Sequence, residues 1–217
     1  LSSSSAASDV YKRQDDDVLA FTITSGLSGS FRAACAAKLN CEENSPSRRI
    51  CIIDSLSTGP EIVLLIEKAV SELSAGADFD AVCRSVQDYQ RRTHLIFALE
   101  SLHNLAQNGR VGKLAAAAAG MLGIRAVGTT SDEGTLDLLG KCRGRKRAVD
   151  FLQEEMERLG YTGGCVRIGH CRNTDSAGEL RTAILHRFPG ANIRIYPLRG
   201  LCSYYAECGG VLVGFEA

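Results

Sequence analysis

The chain has 217 residues, of which 45% are hydrophobic, and its 25 Lys and Arg are balanced by 25 Asp and Glu. That length suits one large domain or two small ones, and zero net charge argues against nucleic acid as a partner, because phosphate binding needs a cationic excess. Charged residues interrupt every long apolar stretch, so the sequence predicts no integral membrane segment. Nine cysteines without a Cys-x-x-Cys pair indicate neither a disulfide framework nor a zinc knuckle, and we expect reduced thiols in a cytoplasmic protein.

Residues 1–14 are polar and low in complexity, and they lack the apolar centre of a signal peptide. We expect this segment to be a disordered or non-native leader. A strand-like run starts almost directly after it, which suggests that the start of the first domain is missing.

Three later segments share one pattern: an apolar strand, a polar turn with Gly or Ser, and a helix. The pattern predicts strands at Val18–Ile23, Ile50–Ile53 and Val166–Gly169, with helices over Ser30–Leu39, from Pro60 onward and over Asp175–His186. Proline suits the first helical position because no backbone donor is needed there. Strands alternating with helices predict an α/β fold that contains parallel strand pairs.

The middle and end of the chain follow a less regular pattern. It predicts helices at 78–91, 99–107 and 145–159, a helical alanine run at 115–119, and strands at 95–98, 124–128, 135–138, 193–197 and 211–215. We place a domain boundary near residue 90. The expected organisation is an N-terminal α/β domain over residues 15–90 and a C-terminal α/β domain over residues 91–217.

The Thr24–Gly29 loop carries hydroxyls and glycines between a strand and a helix, where free backbone amides can bind a carboxylate or phosphate. The alternative is that Ser28 is a helix cap and the glycines are turn residues. A hydrolase elbow needs Gly-x-Ser-x-Gly, and Ser30 stands where the last glycine should be. A serine-dependent small-molecule hydrolase using Ser25 or Ser28, and an anion- or nucleotide-binding module, therefore stay as alternative functions.

Other polar segments allow two interpretations each. Lys141–Arg147 packs five cations into seven residues, either as a solvated helix start or as a cationic wall with one arginine turned inward. His170 ends a strand, but no second ligand lies at metal-binding spacing, so we expect no metal. Tyr204 and Tyr205 precede the last strand in a predicted loop, where they line an apolar tunnel or cap the core.

In order along the chain, these motifs resemble the DegV family of bacterial fatty-acid-binding proteins. The matching segments are Ile23–Ser30, Ile53–Ser55 with Ser57 and Gly59, Gly109–Lys113, Arg143–Ala148, His170 and Gly209–Phe215. Each is weak alone, but together they span nearly all of residues 15–217.

The resemblance implies an N-terminal Rossmann-like parallel sheet, incomplete here, and a C-terminal mixed-sheet domain with helices. It implies a non-enzymatic protein without cofactors that holds one long-chain fatty acid between its domains, and some members present the acid to a fatty acid kinase. Ser25 is expected to donate directly to the carboxylate, Arg143 to supply the cation and loop amides to add further donors. The other expected ligand-binding residues are Thr24, Ser28, His170 and Tyr205.

Two departures from the family accompany this resemblance. The family's first strand and a following hydroxyl-bearing segment have no counterpart, and Tyr205 stands where the family has a histidine. For the acyl tail we expect walls from Leu102, Leu105, Met121, Ile124 and Val127, because buried methylenes supply most of the affinity.

Overall fold

The computed structural model describes residues 16–44, 47–115 and 123–217. Its first elements are two parallel strands and three helices. Strand β1 (Val18–Thr22) pairs in parallel with β2 (Ile50–Asp54), and α1 (Ser30–Asn44) connects them. Helices α2 (Pro60–Ser74) and α3 (Phe79–Gln90) follow. The predicted units are confirmed, with α1 longer than expected.

A six-stranded mixed sheet forms the larger part of the fold. Its strands are β3 (Thr93–Leu99), β4 (Ile124–Thr130), β5 (Leu136–Arg143), β6 (Cys165–His170), β7 (Asn192–Pro197) and β8 (Val211–Glu216). Their spatial order is β5-β4-β3-β8-β6-β7, and β6–β7 pairs in parallel while the other neighbours are antiparallel. The accompanying helices are α4 (His103–Gln107), α5 (Arg145–Arg158), α6 (Thr174–Arg187) and α7 (Gly200–Ala206). A 3₁₀ turn spans Gly112–Leu114.

Side chains of this sheet alternate between two buried faces, as the strand period of two requires. Ile96 and Val213 pack with residues of α5 and α6 on one face. Leu95, Phe97 and Leu212 belong to a separate cluster on the opposite face, with residues of α4 and α7. The second face carries the candidate site described below.

Helix α2 holds the parallel strand pair against the mixed sheet. Its buried residues Leu64 and Leu65 pack with Ile53 of β2 and with residues of α3. A Cβ atom added at Gly214 of β8 would lie 2.5 Å from the backbone nitrogen of Glu61, so the two backbones touch directly. The expected boundary near residue 90 falls between α3 and β3 and stays a prediction.

Some predicted elements are wrong. The sequence pattern predicts a helix from Leu99, but Leu99 is the last residue of β3 and pairs with Ala126, because it continues the alternating strand pattern. The helix begins only at His103. Tyr204 and Tyr205 lie in helix α7 and not in a loop.

The basic run is also divided between two elements. Arg143 ends β5, which is longer than predicted, and α5 begins at Arg145 after the intervening Gly144. The expected leader and most of the predicted helical alanine run lie outside the described residues.

Candidate ligand-binding site

An apolar cavity of about 140 Å³ lies between the loop after β1 and one face of the mixed sheet. Alternate residues of β3 point into it, because they share one face of the strand. Its apolar lining includes Leu95, Phe97, Leu99, Leu105, Leu136 and Leu212. Such walls suit a hydrocarbon chain.

Polar side chains line part of the same cavity. They are Thr24, Ser28, Thr58, Arg110 and Tyr205. They come from the loops after β1 and β2, the segment after α4, and α7. The cavity can therefore take an amphipathic ligand with an apolar body and a polar or anionic end.

Most backbone amides of the Thr24–Gly29 loop are already hydrogen-bonded to other protein atoms. The Ser25 amide donates to Asp54 Oδ1 at 3.0 Å, and the Gly26 amide donates to Thr24 Oγ1 at 3.0 Å. The Leu27 and Ser28 amides both donate to the Thr24 carbonyl at 3.2 Å. The expectation of free loop amides for an anion is therefore wrong for residues 25–28.

The three hydroxyls of this loop differ in what they can offer a ligand. Thr24 is fully buried, and its hydroxyl donates to the Gly134 carbonyl at 2.8 Å. Ser28 Oγ accepts from the Ser30 amide at 3.2 Å, and its proton has no acceptor among the described residues. Ser25 is exposed and does not line the cavity. Ser28 thus has a free donor at the cavity wall.

Arg110 is the cation in the described wall of the cavity. Its Nε donates to the Leu27 carbonyl at 3.2 Å and its Nη1 to the Asn108 carbonyl, which holds the guanidinium beside the Thr24–Gly29 loop. The sequence placed Arg110 in a matching motif without assigning it to the site. The sequence feature that marks this position is the Asn108-Gly109 turn directly before the arginine. In the structure Gly109 adopts the positive φ, 67°, that such a turn favours.

Two residues assigned to the head group lie away from this wall. Arg143 is exposed at the end of β5, and among the described residues it forms no ion pair. His170 is 7% exposed, and by strand alternation it faces the side of the sheet that packs on α5 and α6. Its Nδ1 accepts from the Asn173 amide at 3.3 Å.

The structure therefore brings together Thr24, Ser28 and Tyr205 from the predicted set, and leaves Ser25, Arg143 and His170 outside the cavity wall. Tyr205 stacks edge-on against Tyr204, with ring centroids 5.1 Å apart. The ligand contacts of all six residues stay predictions.

The expected tail walls are placed unevenly. Leu105 lines the cavity, and Leu102 packs in the same apolar cluster without lining it. Val127 faces the opposite side of the sheet, so its predicted role is wrong; the strand alternation puts Ala126 on the cavity side instead. Ile124 is half-buried and does not line the cavity, and Met121 lies outside the described residues.

The described part of the chain offers little for metal or serine chemistry. No group of three or more His, Cys, Asp or Glu side chains within it is arranged to hold a metal ion. Within the same residues, neither Ser25 nor Ser28 is hydrogen-bonded to a histidine, so neither has a general base beside it. None of the described helices is long and apolar enough to cross a membrane.

Comparison with known proteins agrees with the motifs. A family model described as "Uncharacterised protein, DegV family" matches residues 2–216. A DegV domain-containing protein of Streptococcus pyogenes serotype M18 is 43% identical over 204 residues, which make up 94% of this chain and 73% of the relative. The chain belongs to the DegV family.

Solved DegV structures share the fold. A DegV family protein from Eubacterium eligens, loaded with heptadecanoic acid, has a TM-score of 0.89 and 40% identity, covering 94% of this chain and 74% of that one. The Fatty Acid Kinase (Fak) B3 protein of Streptococcus pneumoniae, loaded with linoleic acid, has a TM-score of 0.90 and 41% identity, covering 96% and 75%. The α/β architecture with a small parallel sheet and a larger mixed sheet is confirmed.

Proposed function

We propose that this DegV chain binds one long-chain fatty acid in the apolar cavity and presents the carboxylate at the surface. The main support for this proposal is the cavity itself, which is lined by leucine and phenylalanine side chains and also by Ser28, Arg110 and Tyr205. Two relatives of about 40% identity hold heptadecanoic and linoleic acid, which are ligands of this kind.

The acyl tail supplies most of the affinity in this proposal. Each methylene removed from water contributes about 0.8 kcal/mol, so a long chain gains far more than a short one. The walls formed by Phe97 and Leu212 are buried and come from neighbouring strands, so they give the tail a rigid surface.

The carboxylate needs donors and a cation, because an unpaired charge in a partly desolvated cleft costs several kcal/mol. Ser28 offers a free hydroxyl proton, and the Arg110 guanidinium offers permanent charge beside it. Ser25 and Arg143, which the resemblance assigned to these roles, are the alternatives that mutagenesis has to exclude.

The proposal includes no catalytic step by this chain. The acid is held between an N-terminal domain over residues 15–90 and a C-terminal domain over residues 91–217, and a partner fatty acid kinase phosphorylates its carboxylate. One relative carries the name of such a kinase system. Since a kinase consumes ATP, the proposal places the protein in the cytoplasm.

Native mass spectrometry of the protein purified from bacteria tests the binding step, and we expect a co-purified acyl chain. After delipidation, titration with acids of 10, 14 and 18 carbons should give an affinity that rises steeply with chain length. A serine-reactive fluorophosphonate probe serves as the control for the hydrolase alternative and should leave the protein unlabelled. Absence of a bound acid together with equal affinity for all three chain lengths would overturn the proposal.

A further inference from the structure

The Thr24 side chain joins the Thr24–Gly29 loop to a hairpin 110 residues further along the chain. Its hydroxyl donates to the carbonyl of Gly134, in the turn between β4 and β5, and accepts from the Gly26 amide. Its backbone amide donates to the Ser57 carbonyl at 2.8 Å. One fully buried residue thus connects the loops after β1 and β2 with the mixed sheet.

Glycines make this contact possible. A Cβ atom at Gly134 would lie 1.9 Å from Thr24 Oγ1, and the φ of Gly134 is +74°. A Cβ atom at Gly26 would lie 2.7 Å from the Gly134 carbonyl oxygen. Both positions exclude any side chain, so the two backbones approach as closely as they can.

The hairpin turn that receives Thr24 is itself fixed. The Ser131 amide donates to the Thr135 carbonyl at 2.8 Å, and the Gly134 amide donates to the Ser131 carbonyl at 2.8 Å. The hydroxyls of Ser131 and Thr135 are 2.9 Å apart. The Gly134 carbonyl is therefore a well-held acceptor at the end of two paired strands.

We propose that Thr24 and Gly134 form a clasp that positions Ser28 for the ligand carboxylate, with Thr24 as a positioning residue. The hydroxyl proton of Thr24 is already used, and its carbonyl accepts from the amides of Leu27 and Ser28. A shift of Thr24 therefore moves Ser28 directly. The inference rests on the proposed function, because it names how the head-group part of that site is held.

The clasp is tested by comparing the affinity for octadecanoic acid with that for octadecanol, which keeps the tail but lacks the charged head group. Thr24→Val removes the hydroxyl at nearly constant shape, and we expect about a tenfold loss for the acid with little change for the alcohol. Thr24→Ser keeps the hydroxyl and should retain wild-type preference for the acid. A purely structural role would weaken both ligands together.

Gly134→Ala separates positioning from direct contact, because Gly134 does not line the cavity. We expect it to reproduce the loss of acid preference, and the Thr24→Val/Gly134→Ala double variant to add little to either single variant. Gly76→Ala is the matched control: Gly76 has a similar φ of +82° with nothing within 4 Å, so it introduces the same backbone strain without a clash.

Melting temperatures of all variants identify any that fail to fold. If Gly134→Ala fails, Thr24→Val decides, and if Thr24→Val fails, Gly134→Ala decides. Unchanged acid preference in Thr24→Val, or loss in Thr24→Val with none in Gly134→Ala, would overturn the clasp. Failure of the wild-type protein to bind octadecanoic acid would instead overturn the proposed function.

Discussion

Arg167 of β6 is 3% exposed, and its Nε donates to Glu67 Oε2 of α2 at 2.8 Å. Its Nη1 donates to the carbonyls of Val166 and Asn192, at 2.9 and 3.0 Å. Arg194 of β7, which is exposed, binds the other oxygen of Glu67 at 3.1 Å. One carboxylate therefore attaches α2 to two neighbouring strands of the mixed sheet.

Glu67→Gln should destabilise the protein, because it leaves the buried Arg167 charge uncompensated. Such losses reach about 3–5 kcal/mol for fully buried pairs; we expect about 2–3 kcal/mol here, since Glu67 is 32% exposed and water screens the pair. Urea unfolding measures the change. Arg194→Ala is the control and should cost less than about 1 kcal/mol; equal losses in the two variants would mean that burial of Arg167 is unimportant.

Arg110→Ala should weaken fatty-acid binding by about 1.5–3 kcal/mol, the range for a hydrogen bond to a charged group. Arg143→Ala tests the residue that the resemblance assigned to the same role. Lys146→Ala is the control, because the Lys146 side chain is 91% exposed and pairs with Asp150. Fluorescence displacement of a bound fatty-acid probe measures all three affinities. A loss of affinity in Arg143→Ala with none in Arg110→Ala would show that Arg143 of β5, and not Arg110, binds the carboxylate.

Glu61→Gln should stabilise the protein at neutral pH. Glu61 is 4% exposed, and burial raises the pKa of its carboxyl, while Thr93 Oγ1 donates to its Oε1 at 2.7 Å. Because the pKa is higher in the folded state, the stability of the wild type falls as pH rises from the unfolded value, about 4.3, through the folded one. The amide keeps the acceptor for Thr93 without a proton to lose. Urea midpoints of the two proteins should diverge as pH rises from about 4, and parallel curves would contradict the prediction.

Gly214→Ala should cost about 1–3 kcal/mol or more, because its Cβ atom would meet the backbone of α2 at 2.5 Å and cannot be accommodated by a side-chain rotation. Gly178 of α6 offers the opposite case. Nothing lies within 4 Å of a Cβ atom there, so Gly178→Ala should stabilise by about 0.5–1 kcal/mol. Thermal unfolding of both variants checks the sign of each effect.

Local pattern was enough to predict most of the fold. Pro60 begins α2 as expected, and the alternation of strand and helix correctly indicated parallel pairing for β1 with β2. The prediction failed at Leu99 because an apolar residue at a strand end also fits helical spacing. Strand pairing of Leu99 with Ala126, which is distant in sequence, decides between strand and helix at this position.

The site was harder to predict for the same reason. Ser28 and Tyr205 were assigned from the motifs, but the local pattern around Arg110 does not reveal that its guanidinium meets the Leu27 carbonyl, 83 residues earlier. Nor does it reveal that the Thr24 hydroxyl is already used by Gly134. Hydrogen bonds between distant segments determine which hydroxyl protons stay available, and a single sequence does not display them.

The position of β8 constrains how the mixed sheet can be assembled. Of the described strands of the mixed sheet, β8 comes last in sequence, yet it lies between β3 and β6 and hydrogen-bonds to both. The strands β3–β5 and the pair β6–β7 can therefore join into one sheet only when residues 211–216 insert between them. Such late, non-local pairing slows folding. Leu212 of this strand lines the cavity, so the complete cavity wall forms only once β8 has inserted.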